Sequence, residues 1–169
     1  MKKKQGTIEY RYYETPSDVP VLALLGDRWI RAYGECVSSV HFHNHLEIGY
    51  CYEGHGTLVI DDETRPYREG TYSVIPHYMC HNTISDNGML CRCEYLFIDM
   101  ETFLASVYPE NQHFKDHLIR LINLRAHVGN AADNPKIAQL ILSLLDELRY
   151  KRPFYLLSVR GFLLSLLTE

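Results

Sequence analysis

The chain changes its periodicity near residue 100. Before that point apolar and polar residues alternate in short runs; after it, apolar residues recur at three- and four-residue steps. The runs TIEYRYY (7–13), LEIGYCYE (46–53), GTLVI (56–60), TYSVIP (71–76) and LCRCEYLFI (90–98) are rich in β-branched and aromatic residues. Turn-forming stretches such as IDDETR (60–65) and SDNG (85–88) separate them, so each run is predicted to be a strand. Several short strands at this spacing imply a closed or double-sheet β architecture.

In the second part, ETFLASVY (101–108) predicts a short helix, and HFKDHLIRLINLRAHVG (113–129) predicts a helical stretch with His113, His117 and His127 on its surface. The clearest helix starts at Asp133 or Asn134 as N-cap, with Pro135 in the first turn. Ile137, Leu140, Ile141, Leu144, Leu145 and Leu148 then form one apolar stripe. Such a stripe usually packs into its own core, yet a dimerisation face is the sharper expectation for these six residues. Pro153 opens a last helix in which Phe154, Leu157, Phe162, Leu163, Leu164, Leu166 and Leu167 exceed one narrow face. That helix is predicted to be buried on two sides or to meet a partner chain, and a homodimer is the expected assembly.

Composition narrows the class. At 169 residues the chain fits one compact unit, divided by pattern into a β-barrel over 1–100 and a helical extension over 101–169. With 46% apolar and 22% charged residues it has the make-up of a globular protein with a real core. A net charge of −4 gives no electrostatic reason to bind nucleic acid, and Lys2, Lys3 and Lys4 read as a solvated tail. The apolar run VPVLALLG (19–26) is too short and wrongly flanked for a signal peptide or a membrane span. Five cysteines with no C-x-x-C pair argue against a disulfide framework and for the cytoplasm.

The candidate chemistry lies in HFHNHLEIGYCYEG (41–54). His41 and His43 are two apart, so on a strand both imidazoles share a face, and Glu47 has the same parity. Gly49 and Cys51 continue that face and, being small, predict open volume beside the cluster; Leu46, Ile48, Tyr50 and Tyr52 take the other face. In GTYSVIPHYMCHN (70–82), Pro76 ends one strand and His81 begins the next pairing segment, which in a small antiparallel barrel lies opposite His41 and His43. Three imidazoles and a carboxylate suit Zn, Ni, Mn or Fe, and the spacing does not choose among them. The same four residues also suit a metal-free barrel mouth of hydrogen-bonded histidines. His77, Tyr50, Tyr72 and Tyr78 are candidate ligand walls beside Gly49 and Cys51.

These motifs resemble those of the cupins. The first stretch matches the first cupin motif from its HxH pair through Glu47 to Gly54, and the second matches in Gly70, Pro76 and His81. The sequence departs where the motifs have glycine and asparagine: Tyr78 stands two after Pro76, Ser85 four after His81, and Gly34 lies one residue too far before His41. The resemblance implies a double-stranded β-helix (jelly-roll) barrel followed by C-terminal α-helices, with metal at His41, His43, Glu47 and His81. Over nearly the whole chain, the order of histidine-rich strand, EGHGTLVIDD hairpin, CEYLFIDM strand and leucine-rich helices is similar to the N-terminal half of AraC-type transcription regulators.

That resemblance implies an effector-binding and dimerisation domain, sensing a sugar or other polar metabolite, with DNA contacted only through helix-turn-helix units absent from this sequence. The last helix is not itself a recognition helix, because Arg160 is its only basic residue after Pro153. The alternatives are a metal-dependent cupin dioxygenase or isomerase, and a plain interaction module with a solid barrel.

Overall fold

A computed structural model describes residues 7–34 and 39–169. The β-part consists of β1 (Ile8–Arg11), β2 (Val21–Leu24), β3 (Ile30–Arg31), β4 (Val40–His43), β5 (Leu46–Glu53), β6 (His55–Ile60), β7 (Glu63–Arg68), β8 (Thr71–Ile75), β9 (His81–Ser85) and β10 (Cys91–Ile98). Then come α1 (Met100–Val107), α2 (Gln112–Ile122), β11 (His127–Asn130), α3 (Pro135–Tyr150) and α4 (Tyr155–Leu166). One sheet has the order β1-β4-β9-β6-β7 and the other β11-β8-β5-β10-β2, with β3 paired to β10. From β1 to β10 the chain crosses from one sheet to the other at every step except β2 to β3 and β6 to β7, which is the jelly-roll path.

The central strands β5 and β10 of the second sheet are largely apolar on both faces because both faces are covered. Leu46, Ile48 and Tyr50 of β5 and Leu96 and Ile98 of β10 join Ile141, Leu144, Leu145, Leu148, Val159 and Leu163 in a core between sheet and helices. Cys51 of β5 and Cys91, Cys93, Tyr95 and Phe97 of β10 point the other way, into the barrel, with Leu58, Tyr67 and Tyr33. Between β5 and β6, Gly54 takes φ 95°, and a Cβ there would sit 2.5 Å from the Cys91 sulfur. Only glycine fits that turn.

Four of the six stripe residues of α3 are therefore core. Ile141, Leu144, Leu145 and Leu148 are buried against the barrel, and each contributes about 1.5–3 kcal/mol of burial that an exposed dimer face would forgo. This corrects the expectation of a dimerisation face: the stripe is spent within the chain, and Ile137 and Leu140 at its rim stay partly exposed. The helical stretch over 113–129 also ends early. Asn123 caps α2, and residues 127–130 pair with β8 as β11, so His127 lies on a strand beside the Tyr72 hydroxyl. Val128 and Gly129 leave no helical period there, and the long periodic stretch before them masked the change.

Besides the two-residue β3, two further strands escaped the pattern. The run VPVLALLG supplies β2, which pairs with β10, and TRPYR after the Asp61–Asp62 turn belongs to β7, an edge strand that tolerates Pro66.

Candidate metal centre and ligand cavity

His41 and His43 alternate along β4, so both rings point into the barrel. The chain turns at Asn44 and His45 and enters the other sheet, where Glu47 is the second residue of β5. His81 is the first residue of β9 and the cross-strand partner of His41, their rings 4.3 Å apart. One donor atom from each of His41, His43, Glu47 and His81 lies within 4.8 Å of the others. His43, Glu47 and His81 are buried, and His41 is half-buried.

The turn before His81 keeps its shape without the motif glycine. Tyr78 itself adopts φ 59° and its backbone N–H donates to the His43 carbonyl at 2.8 Å. The left-handed conformation that glycine would supply is thus retained at a steric cost of roughly 1–2 kcal/mol.

The hydrogen bonds fix which imidazole nitrogens face the centre. His43 donates Nδ1–H to the His45 carbonyl at 2.7 Å, and His81 donates Nδ1–H to the Met79 carbonyl at 2.8 Å. Their Nε2 atoms then approach the same Glu47 oxygen, Oε2, at 3.1 and 3.3 Å. In neutral rings these are two lone pairs facing a carboxylate, acceptor against acceptor. A positive charge has to stand among them, either a proton on a ring or a metal ion.

The electrostatics agree. Burial works to raise the Glu47 carboxyl, but the His81 ring and the hydrogen bonds from His43 and His81 hold it well below the usual carboxylate range. Burial works to lower His81, and the Glu47 carboxylate pushes it above the ordinary histidine value. His41 is pushed down to about 3, by burial first and then by the neighbouring His81 charge. A neutral His41 is a competent ligand at neutral pH.

The donor set therefore fits a divalent transition metal. Three imidazoles and one carboxylate converge, and carbonyl-bound Nδ1 atoms orient two of the rings from behind. Phe97 stands edge-on to His43 at 4.8 Å, and Tyr13 stacks on Phe97 at 4.0 Å, sealing that side. Asn44 clamps Tyr13 in place, exchanging two 2.9 Å hydrogen bonds with its backbone.

A cavity of about 550 Å³ opens directly on His41 and Glu47. Its walls include Tyr13, Leu24, Trp29, Tyr33, Tyr95 and Phe97, with Arg11 and Arg31 among its charged residues. These residues were not singled out by sequence reasoning. The available signal was register: Tyr95 lies opposite Gly49 and Phe97 opposite Glu47, so the large β10 side chains had to occupy the space above the small β5 positions.

The expected ligand walls are dispersed. A Cβ on Gly49 would meet the Tyr95 ring at 3.2 Å, so the volume predicted beside Gly49 and Cys51 is filled by Tyr95, leaving a cavity of only about 20 Å³. Tyr50 and Tyr72 have the opposite parity and pack into the core beneath the helices. His77 and Tyr78 line a separate cavity of about 270 Å³ outside the cluster, together with His45 and Glu101.

Fold and site together define a cupin-type barrel with a buried three-histidine, one-glutamate centre. The model of the AraC-like ligand binding domain matches residues 33–167, and the chain belongs to that family. No curated protein matches the sequence. Among solved structures, the AraC-like transcriptional activator CuxR is 15% identical, with 75% of this chain and 43% of that one covered and a TM-score of 0.43. Fatty-acid-bound ToxT from Vibrio cholerae is 12% identical, with 80% and 49% covered and a TM-score of 0.43. A cupin 2 conserved barrel protein from Salinispora arenicola is 20% identical, with 52% and 71% covered and a TM-score of 0.41. The chain spans less than half the length of these two AraC-type proteins. Among the described residues no helix is long and apolar enough to cross a membrane.

Proposed function

We propose that this chain is the effector-binding and dimerisation part of an AraC-type transcription regulator, acting in the cytoplasm. A small molecule enters the cavity and reaches His41, His43, Glu47 and His81, either directly or through a divalent metal held by them. The observation that carries this reading is the opening of the 550 Å³ cavity onto His41 and Glu47, which is of the size that small ligands occupy. When bound, a metal supplies a Lewis-acidic anchor for a ligand oxygen.

The residues of the chain do the rest. His43 and His81 are held in one tautomer, Phe97 and Tyr13 exclude water behind His43, and Tyr95 and Trp29 shape the wall. Ligand contact on the inner face of β10 is one residue away from the outer face on which α3 rests. A ligand that prefers one placement of α3 and α4 over another shifts the arrangement of a homodimer, and through it the helix-turn-helix units of such a regulator.

Isothermal titration of the full chain with Zn²⁺, Ni²⁺, Mn²⁺ and Fe²⁺, followed by a metabolite panel, tests the proposal. Saturable binding that is lost in His41→Ala, with the fold intact by circular dichroism, supports it. Absence of any metal or metabolite binding removes the sensory role of this cavity, and turnover of a panel member by the metal-loaded chain replaces it with the enzyme reading.

A further inference from the structure

Among the described residues, the charges that line the large cavity do not cancel. Glu9 and Arg11 pair with each other at 2.7 Å on β1. Glu47 is committed to His43 and His81. Arg31, on the short strand β3, also lines the cavity, and among the described residues no carboxylate pairs with it; its guanidinium lies 5.6 Å from the centre of the Tyr33 ring. With a divalent ion at the centre, the single Glu47 carboxylate leaves one positive charge there and Arg31 adds a second. A neutral polyol balances neither charge. An anion meets one or both.

The walls near Arg31 are aromatic and set at angles to one another. Trp29 and Tyr33 both stand edge-on to Tyr95, at 5.8 and 6.0 Å. One of the polar tips on this wall is already engaged: the Tyr33 hydroxyl donates to the Trp29 carbonyl at 2.6 Å. What these walls present to a ligand is ring surface, which favours a flat apolar body over a hydroxyl-rich one. The guanidinium fork suits a planar two-oxygen anion better than a point charge.

We propose that the ligand of this cavity is an organic carboxylate with a flat, apolar body, its carboxylate held by Arg31 and its body set against Trp29, Tyr33 and Tyr95. This rests on the reading of the cavity as an effector site and narrows the effector from polar metabolites at large to aromatic or similarly planar acids. Arg31 is then the residue that selects acid over amide or sugar.

The test uses the full chain and three probes of known chemistry: benzoate, benzamide and D-glucose. Each is titrated calorimetrically into wild-type, Arg31→Gln and Arg31→Lys protein, with and without saturating Zn²⁺. Benzoate is expected to bind at least about tenfold more tightly than benzamide or glucose, as losing a charge-assisted pair costs about ten- to hundredfold in affinity. Arg31→Gln should abolish that preference and Arg31→Lys should restore part of it. Equal or tighter binding of glucose or benzamide overturns the proposal, as does an unchanged benzoate preference in Arg31→Gln. Zn²⁺ binding with none of the three probes bound also overturns it while leaving the metal-bearing effector site standing. Failure of Zn²⁺ and every probe alike marks the failure of the effector-site reading itself.

Discussion

Glu94 on β10 and Arg149 on α3 form an ion pair across the boundary between barrel and helices, and the Glu94 side chain is fully buried. Its other oxygen accepts the Gly26 backbone N–H at 2.8 Å, so the carboxylate is satisfied only while both partners are present. Arg149 also reaches Asp146, and Tyr52 is pushed up to about 12 by burial beside the pair. Arg149→Ala leaves Glu94 charged and unpaired in the core, and the expected loss is about 3–5 kcal/mol of unfolding free energy. The double variant Arg149→Leu with Glu94→Leu removes the stranded charge and should recover most of that loss. Urea denaturation of the three proteins checks both statements; a single variant as stable as wild type would show that α3 is held by its leucines alone.

The positive charge that Glu47 needs between the Nε2 atoms of His43 and His81 sets the response to metal. A metal bound to the folded state alone stabilises it by about 2.7 kcal/mol at a hundredfold excess over its dissociation constant. Adding Zn²⁺ to chelator-treated protein should therefore raise the melting temperature, and excess chelator should reverse the rise. His43→Ala removes one of four donors and should abolish most of the shift. A thermal scan in which wild type and His43→Ala respond to Zn²⁺ equally would place the metal elsewhere.

Much of this centre was legible because strand parity is a strong constraint. His41, His43 and Glu47 share a face by counting, and the glycine and proline before His81 announce the return strand. The aromatic walls were not legible in the same way. Trp29, Arg31 and Tyr33 sit around a strand of two residues, too short to show alternation, and Tyr95 fills the space that Gly49 leaves only because β10 pairs with β5 in one register. The fate of the α3 stripe was hidden for a different reason. An apolar face has the same sequence whether it meets a barrel or a second chain, and only the covered outer face of β5 and β10 decides between them.

The histidines also predict a pH dependence for the metal-free protein, with opposite signs at two positions. His41 is held down to about 3, so as pH falls below the ordinary value of 6.5 the unfolded chain gains a proton that the folded chain refuses. Stability is lost there at up to about 1.4 kcal/mol per pH unit. His81 is raised by Glu47, so its contribution is complete below 6.5 and fades as pH rises through its folded value. Glu47, held low, contributes above the carboxylate range and does not vary between these limits. Comparing His41→Ala with wild type by chemical denaturation at about pH 7.5 and about pH 5.5 isolates the first effect. The variant should gain stability relative to wild type at the lower pH, and a constant difference would show that His41 titrates normally.

The corner between α3 and α4 holds the last expected effect. Phe154 takes φ 68° at the start of α4 although the residue is 79% exposed, so a bulky residue carries left-handed strain with little burial in return. The left-handed region costs a non-glycine residue roughly 1–2 kcal/mol, whereas glycine enters it freely. Glycine also gives up more chain entropy on folding, and it is accepted at the first position before a helix. Phe154→Gly should therefore raise the unfolding free energy by about 0.5–1 kcal/mol, the entropy cost offsetting part of the relieved strain. The check is a urea midpoint measured at several protein concentrations. If the exposed ring serves an assembly of two chains, the gain at low concentration turns into a loss at high concentration, because the variant then forfeits the contact that the strained geometry presents.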